Sequence, residues 1–202
     1  MSRRPSWASS PRMGWAGIAF TVLLLTSAAM VTLPTGAMDG ARISAFYAAH
    51  RELIVVQQLL GALALLPFLA FVGALAGQRG EQPGVRGWLI VSGLLLAAIE
   101  LATNILPIAL TASAPPSDTA HALTVAEDVA DALLFVAIAG FVVAASWHDV
   151  WWMRALGLGV GVLALSRVVG SLVGVSALDA VVPIVFVGFV VLLSIRMLVA
   201  DL

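Results

Sequence analysis

Residues 53–76 read LIVVQQLLGALALLPFLAFVGALA, a run of 24 residues in which only Gln57 and Gln58 have polar side chains. About 20 mainly apolar residues in helical conformation are enough to cross the hydrocarbon core of a bilayer. This run is therefore predicted to form a transmembrane helix. The whole chain has the same character: 61% of its 202 residues are hydrophobic, 10% are charged and the mean hydropathy is +1.07. A soluble domain contains about 25% charged residues.

Five further runs of similar length and composition accompany this one. Together they predict an all-α fold, a polytopic integral membrane protein built as a six-transmembrane-helix bundle. The predicted helices lie at about 15–33, 53–76, 88–110, 129–147, 155–175 and 179–198. Short connectors rich in turn-forming residues separate them. We expect residues 15–202 to form a single six-helix membrane domain that follows a cytoplasmic N-terminal tail at residues 1–14.

The arginines predict the orientation of this bundle. Cytoplasmic loops of membrane proteins carry an excess of basic residues, and interfacial belts are rich in tryptophan. Two arginines, Arg42 and Arg51, fall on one predicted side, whereas seven fall on the other: Arg3, Arg4, Arg12, Arg79, Arg86, Arg154 and Arg196. The tryptophans lie on the side of the seven. Both termini are therefore predicted to be cytoplasmic, and the plasma membrane is the expected location of this multi-pass protein.

The first run has a second interpretation. Basic residues before an apolar stretch, followed by Thr35-Gly36-Ala37, are also typical of a signal peptide with its cleavage site. Cleavage there would leave five helices and an outer N-terminus. The length of the run favours a retained first helix, because the run is longer than the usual apolar core of a signal peptide.

Two charged residues interrupt the apolar runs, Glu100 in the third and Arg167 in the fifth. A charge at the centre of a spanning helix costs about 2.5–3.5 kcal/mol on insertion scales, so a partner or a function is expected. At about 1.5 Å per residue, both residues lie roughly 18–20 Å from the cytoplasmic boundary. We predict that they form a buried ion pair between the two helices. A structural pair and a ligand- or proton-binding pair both explain this spacing.

Further polar residues lie outward of this charge pair. If the second helix begins early, near Ser44, His50 and Gln57 share one of its faces, with Gln58 beside it. Asn104 lies one turn beyond Glu100. The inner half of the predicted bundle is almost purely apolar. This asymmetry indicates a polar pocket that opens to the outer face, although hydrogen bonds between helices would account for the same amides.

An acidic cluster, Asp128 and Asp131, marks the predicted start of the fourth helix. The spacing of Thr124 and Glu127 predicts a capping box just before it. The two aspartates could hold a hydrated cation or a diphosphate through Mg²⁺, or they could be a solvated helix start that the helix dipole favours. No metal site and no cofactor are predicted. Cysteine is absent, which excludes thiolate ligands and disulfides.

These features favour a small non-enzymatic membrane protein that binds or passes a small solute or a proton, or serves as a membrane subunit, through the polar pocket. One alternative is a membrane enzyme that acts on a lipid or an isoprenoid, with Asp128, Asp131 or Glu100 as general acid or metal ligand. Another is a purely structural or assembly factor. No residue is assigned a catalytic role.

The lipid bilayer is the expected partner of the chain. The sequence leaves open whether the chain has a membrane-protein partner or forms a homo-oligomer. Its two glycine motifs, Gly157-x-x-x-Gly161 and Gly170-x-x-x-Gly174, permit close helix approach either inside the bundle or between copies. A net charge of −1 gives no basis for a nucleic-acid partner.

Several segments carry a family resemblance. They are an Arg-bearing N-terminus, the outer sequence Ala45-Phe46-Tyr47-Ala48-Ala49-His50-Arg51, a Gly- and Arg-rich inner loop at 77–87 and a Trp-bearing inner loop at 147–154. In this layout the chain resembles a group of uncharacterised actinobacterial six-helix membrane proteins that share a domain of unknown function. The resemblance implies the six-helix fold. It implies no known activity, so it assigns no functional residue.

Overall fold

The computed structural model describes residues 12–78, 82–113, 115–173, 175 and 177–200. In these residues the chain forms seven α-helices and no strand. The helices are α1 (Arg12–Ala28), α2 (Gly40–Ala49), α3 (Arg51–Gln78), α4 (Pro83–Ser113), α5 (Ser117–Ser146), α6 (Trp151–Leu172) and α7 (Val181–Ala200). Helices α3 to α7 are each long and apolar enough to cross a membrane. The all-α class is thus confirmed, with five helices that suit a multi-pass membrane protein.

The first predicted helix, 15–33, is shorter in the structure. Helix α1 has 17 residues and ends at Ala28, so it is not among the five long apolar helices. Residues 29–39 form a non-helical connection, here called the crossing segment. Pro34 lies in this segment and disfavours helical backbone at Leu33 before it. Asp39 then caps α2, since its side chain accepts a hydrogen bond from Arg42 N at 3.0 Å.

Helix boundaries differ from the predictions where polar residues continue a helix beyond its apolar run. Helix α5 begins at Ser117, twelve residues before the predicted start at 129. Thr124 lies inside it, where its Oγ1 donates to Ala120 O at 3.0 Å. The predicted capping box at Thr124 and Glu127 is therefore wrong. The spacing of Ser176 and Asp179 predicts a second capping box, at the start of the last helix, but Ser176 lies outside the described residues.

Helices α1, α3, α5 and α7 surround the axis of the bundle. Helix α4 packs against α3 and α5, and α6 packs against α5 and α7. Each of the four axial helices contributes one buried phenylalanine, and the four rings contact one another in a closed cycle with centroid distances of 4.9 to 6.4 Å: Phe20, Phe68, Phe141 and Phe186. These rings, called the aromatic cluster below, fill the centre of the bundle.

The outer surface of the helices is apolar as well. Large hydrophobic side chains such as Leu66, Val91 and Ile184 are about two-thirds exposed. Helices that are apolar all round belong in the core of a large protein or in a membrane. One end of the bundle carries α2 and is called the α2 end. The opposite end, called the Trp end, carries five exposed tryptophans: Trp15, Trp88, Trp147, Trp151 and Trp152.

Two glycines let α6 lie close against α5. A Cβ atom at Gly157 would approach Val142 O to 2.9 Å, and one at Gly161 would lie 3.3 Å from Val143 Cγ2. The first of the two glycine motifs therefore serves packing inside the bundle. Gly174 of the second motif lies outside the described residues.

Candidate functional site: an acidic cavity at the α2 end

An open cavity of about 290 Å³ lies at the α2 end and is lined by residues of α1, α3, α4, α5 and the crossing segment. Among the described residues, four carboxyl groups line it and no Arg or His does. They are Glu100 from α4 and Glu127, Asp128 and Asp131 from α5. Asp128 is exposed at the surface, whereas Glu127 and Asp131 are partly buried. The cavity is therefore a strongly acidic space between otherwise apolar helices.

The α4 wall consists of Glu100 and Asn104, which lie one helical turn apart. Asn104 Nδ2 donates to the backbone oxygen of Glu100 at 2.6 Å and to its Oε1 at 3.3 Å. Asn104 is buried against α3, where a Cβ atom on Gly61 would lie 2.5 Å from Asn104 Oδ1. A glycine at position 61 is therefore required for Asn104 to occupy this place.

The α3 wall consists of Gln57 and Gln58, both less than one-tenth exposed. Gln57 Nε2 donates to Val31 O in the crossing segment at 2.9 Å, and Ser27 Oγ on α1 donates to Gln57 O at 2.8 Å. Gln57 Oε1 is buried and has no hydrogen-bond partner. The bond to Val31 O fixes which amide atom is the oxygen, because a flipped amide would place two acceptors together.

The α5 wall also holds the crossing segment and α2 in place. Asp128 Oδ2 accepts a hydrogen bond from Gly36 N at 2.8 Å, and Glu127 Oε2 accepts one from the Tyr47 hydroxyl at 3.4 Å. Tyr47 is 2% exposed. Burial, together with the neighbouring carboxyl groups of Glu127 and Asp128, raises the pKa of Tyr47 well above its ordinary value of 10.0.

Arg167 does not meet Glu100, which corrects the predicted charge pair. Its Nη2 donates to Asp131 Oδ2 at 2.5 Å, and its Nε lies 3.2 Å from Asp179 Oδ1, although that N–H makes no well-aligned hydrogen bond. The guanidinium also lies 4.0 Å from the centroid of the Phe135 ring. The physical reason is the helix order: α5 lies between α4 and α6, so the carboxylate that α6 meets belongs to α5.

Six predicted site residues come together in this cavity: Gln57, Gln58, Glu100, Asn104, Asp128 and Asp131. Arg167 and His50 are not part of its lining. His50 is exposed at the break between α2 and α3, where its ring stacks on Phe46 with 4.4 Å between centroids and its Nδ1 lies 3.0 Å from Phe46 O. One continuous helix through this region would have placed His50 and Gln57 on the same face. The break between α2 and α3 removes that shared face.

Glu127 lines the cavity, although its spacing from Thr124 predicted a helix cap. Its spacing of four residues from Asp131 puts both carboxyl groups on one face of a helix, and this signal could have identified it. Asp128 and Asp131 both border the cavity. Among the described residues, however, no three His, Asp or Glu side chains are grouped so that they could hold a metal ion.

No family model matches the chain, and no curated protein or solved structure matches it. The family resemblance in the sequence therefore stays a prediction.

Proposed function

We propose that this protein is a multi-pass plasma-membrane protein that binds a small cationic solute, or a proton, in the acidic cavity. The observation that carries the proposal is the presence of four carboxyl groups, with no Arg or His from the described part of the chain, around one cavity of about 290 Å³. Ionisable groups within spanning helices are costly. Membrane proteins keep them mainly where they face a cavity and bind or move an ion, a proton or a ligand.

A purely structural role accounts for one part of this site and not for the other. Arg167 forms ion pairs with Asp131 and Asp179, as a stabilising cluster would. Glu100 and Glu127 instead accept hydrogen bonds from neutral donors, Asn104 and Tyr47. Asp128 also has no basic partner among the described residues. Three such carboxyl groups are better explained by a cation or a proton that occupies the cavity than by packing alone.

In the proposed orientation, the α2 end faces outward and the Trp end faces the cytoplasm. The distribution of arginines between the two ends supports this orientation. The Trp end has Arg86, Arg154 and Arg196 at the ends of their helices, and the α2 end has Arg42 and Arg51. Helix α1 would be the sixth span. At about 1.5 Å per residue its 17 residues measure about 26 Å, slightly less than the roughly 30 Å hydrocarbon core.

The aromatic cluster favours binding over an open pore. On α1, α3 and α5 its rings lie about one to three helical turns from the cavity lining towards the Trp end, and the four rings fill the space between α1, α3, α5 and α7. A solute that entered from the α2 end would stop above these rings. Transport to the other side would require the axial helices to move apart.

The proposal is tested by thermal unfolding of the purified protein in detergent, measured against a panel of cations and anions at constant ionic strength. At least one cation should stabilise the wild type, with a stabilisation that rises with the logarithm of its concentration above Kd and reaches about 2.7 kcal/mol at a hundredfold excess over Kd. Anions should not stabilise it. If the bound species is a proton, the pH dependence of the unfolding temperature should change in the variants described next.

Glu100→Gln and Glu127→Gln should abolish this stabilisation, since each keeps the volume of the side chain and removes its charge. Glu52→Gln is the matched control, because Glu52 is an exposed carboxyl group in the first turn of α3 that does not line the cavity. An equal response of the wild type and both cavity variants, to cations and to pH, would overturn the proposal.

A further inference from the structure

The crossing segment forms one side of the acidic cavity, and few of its own side chains are buried. Leu33, Pro34 and Thr35 line the cavity. Across residues 29–38, Pro34 alone has a buried side chain. Segments with little buried apolar surface open locally at a lower free energy than the packed helices around them. The crossing segment is therefore the part of the cavity wall that can move most easily.

The helices on both sides of the crossing segment are anchored more firmly. On α2, Ile43 and Tyr47 are almost fully buried. They belong to a small apolar cluster that includes one residue from each of three neighbouring helices: Ile54, Leu110 and Ala120. On α1, Phe20 is part of the aromatic cluster. The crossing segment thus connects two fixed points, the end of α1 and the Asp39 cap of α2.

Polar contacts with α3 and α5 hold the crossing segment between these points. Gly36 N donates to Asp128 Oδ2 at 2.8 Å, and Val31 O accepts from Gln57 Nε2 at 2.9 Å. Met38 O lies 3.2 Å from His121 Nδ1. A single hydrogen bond contributes little net stability, because water replaces it when it breaks. Loss of these contacts would release the segment while the helices stay packed.

The observed position of the segment also leaves one polar group unsatisfied. Gln57 is 7% exposed, and its Oε1 is buried without a hydrogen-bond partner. A buried acceptor without a partner is costly. Movement of Val31 away from this amide would admit water to it. The unsatisfied oxygen therefore offsets part of the stability that the hydrogen bonds give to the closed position.

We propose that the crossing segment is a flap that opens and closes one side of the acidic cavity, with hinges at Ala28 and Asp39. The structure shows the closed position, in which the flap is bound to Asp128 and Gln57. In the open position both hydrogen bonds are broken, and the side of α1 and α3 that carries Ser27 and Gln57 faces the solvent. The flap controls access to the cavity whatever binds there, so this inference goes beyond the proposed function.

A disulfide can lock this flap in the closed position. A Cβ atom at Gly36 would lie 2.7 Å from Val125 Cγ2 and 3.5 Å from Val125 Cα. These distances suit the separation of about 3.5–4.5 Å between the Cβ atoms of a disulfide. Gly36→Cys combined with Val125→Cys should therefore cross-link on oxidation. The chain contains no cysteine of its own that could compete.

Ser27→Cys reports the opening of the flap. Ser27 is less than one-tenth exposed and lines the cavity. The rate at which iodoacetamide, a small neutral reagent, modifies this cysteine is measured on the purified protein in detergent by peptide mass spectrometry. We expect the cross-link to lower this rate by about tenfold or more, and reduction of the disulfide to restore it. Ala48→Cys, at an exposed position of α2, is the control whose rate should not change.

A second comparison weakens the closed position instead of locking it. Asp128→Ala removes the acceptor of Gly36 N and should raise the modification rate of Ser27→Cys by about tenfold. Ser44→Ala is the matched control, because Ser44 Oγ donates to Pro115 O at 3.4 Å and holds α2 rather than the flap. It should leave the rate unchanged. If the cysteine pair does not cross-link, this comparison decides the question.

The outcomes separate the flap from the proposed function. Equal modification of Ser27→Cys with and without the cross-link would refute the flap. Equal rates in Asp128→Ala and Ser44→Ala, or modification only as fast as global unfolding, would also refute it. Modification that the cross-link controls, in a protein that no cation or proton stabilises, would support the flap and refute the proposed function.

Discussion

Arg167 Nη2 on α6 lies 2.5 Å from Asp131 Oδ2 on α5, and Asp131 also lines the acidic cavity. One carboxyl group of the cavity is therefore neutralised from outside it. The arginine side chain is 13% exposed and its partners are more than one-third exposed. This cluster connects α5, α6 and the turn before α7. Among the described residues it leaves three lining carboxyl groups without a basic partner: Glu100, Glu127 and Asp128.

A double-mutant cycle on this pair should show strong coupling. Arg167→Gln and Asp131→Asn should each lower the free energy of unfolding by about 1–3 kcal/mol, less than for a fully buried pair because solvent screens the carboxylates. The double mutant should lose less than the sum, with a coupling energy of about 0.5–2 kcal/mol. Unfolding in a detergent that permits reversible measurement gives these values.

The exposed pair Arg42–Asp39 is the control for this cycle. Asp39→Asn retains a good N-cap for α2, so coupling with Arg42→Gln should be close to zero. Coupling between Glu100→Gln and Arg167→Gln should also be smaller than that of Asp131 with Arg167. Strict additivity for Asp131 and Arg167 would contradict the pairing seen in the structure.

The prediction that Glu100 pairs with Arg167 shows what the sequence of a helical bundle can and cannot determine. Hydropathy located the apolar runs, because each run needs about 20 apolar residues whatever its neighbours are. Counting residues also gave the matching depths of the two charges. It could not give the order of helices around the axis, which depends on packing between side chains far apart in sequence. Asp131 was therefore missed as the partner.

Most of the cavity lining was nevertheless predictable. Gln57, Gln58 and Asn104 stand out as amides in apolar runs, and they do lie together. The crossing segment was not predictable, because long-range contacts such as Gly36 N with Asp128 Oδ2 determine its course. The break at His50 was missed for a related reason: the sequence on both sides of it is compatible with helix, so no local signal marks it.

Gly61 should be intolerant of alanine, unlike another glycine in the same helix. A Cβ atom at position 61 would lie 2.5 Å from Asn104 Oδ1, whereas one at Gly73 would meet nothing within 4 Å. We expect Gly61→Ala to lower the free energy of unfolding by about 1–3 kcal/mol, since Asn104 must move away from α3. Gly73→Ala should be neutral or stabilising by up to about 1 kcal/mol. Equal effects of the two substitutions would mean that Asn104 does not pack against Gly61.

Single-cysteine labelling should reveal the orientation in the membrane, and the chain suits it because it contains no cysteine. Ala48→Cys lies on an exposed position of α2, and Gly84→Cys lies in open space near the start of α4. A membrane-impermeant maleimide added to intact cells should label Ala48→Cys and should reach Gly84→Cys only after permeabilisation. The reverse pattern would invert the proposed orientation.

An epitope tag placed before Arg12 tests whether α1 is the sixth span. If α1 crosses the membrane, this tag should be protected in intact cells, on the same side as Gly84→Cys. A tag that is accessible from outside while Gly84→Cys is protected would leave five spans. The two measurements together therefore distinguish six helices from five.

Tyr47 should stay protonated in the folded protein at a pH where an ordinary tyrosine ionises. Its pKa is raised above 10.0, first by burial and then by the Glu127 carboxyl group. Above pH 10.0 the unfolded chain loses the phenolic proton and the folded chain keeps it, so stability that is fully present below pH 10.0 decreases as the pH rises further. Tyr47 is the only tyrosine in the chain. The ultraviolet absorbance of phenolate therefore reports this residue alone.

We expect the absorbance titration to have its midpoint near 10 in denaturant and well above 10 in the folded protein. Glu127→Gln should move the folded midpoint downwards, because it removes a negative charge beside the hydroxyl group. Tyr47→Phe should reduce the loss of stability above pH 10.0, and Glu52→Gln should change neither result. A folded midpoint near 10 would show that the hydroxyl group is open to solvent, and that α2 does not hold Tyr47 against the acidic wall of the cavity.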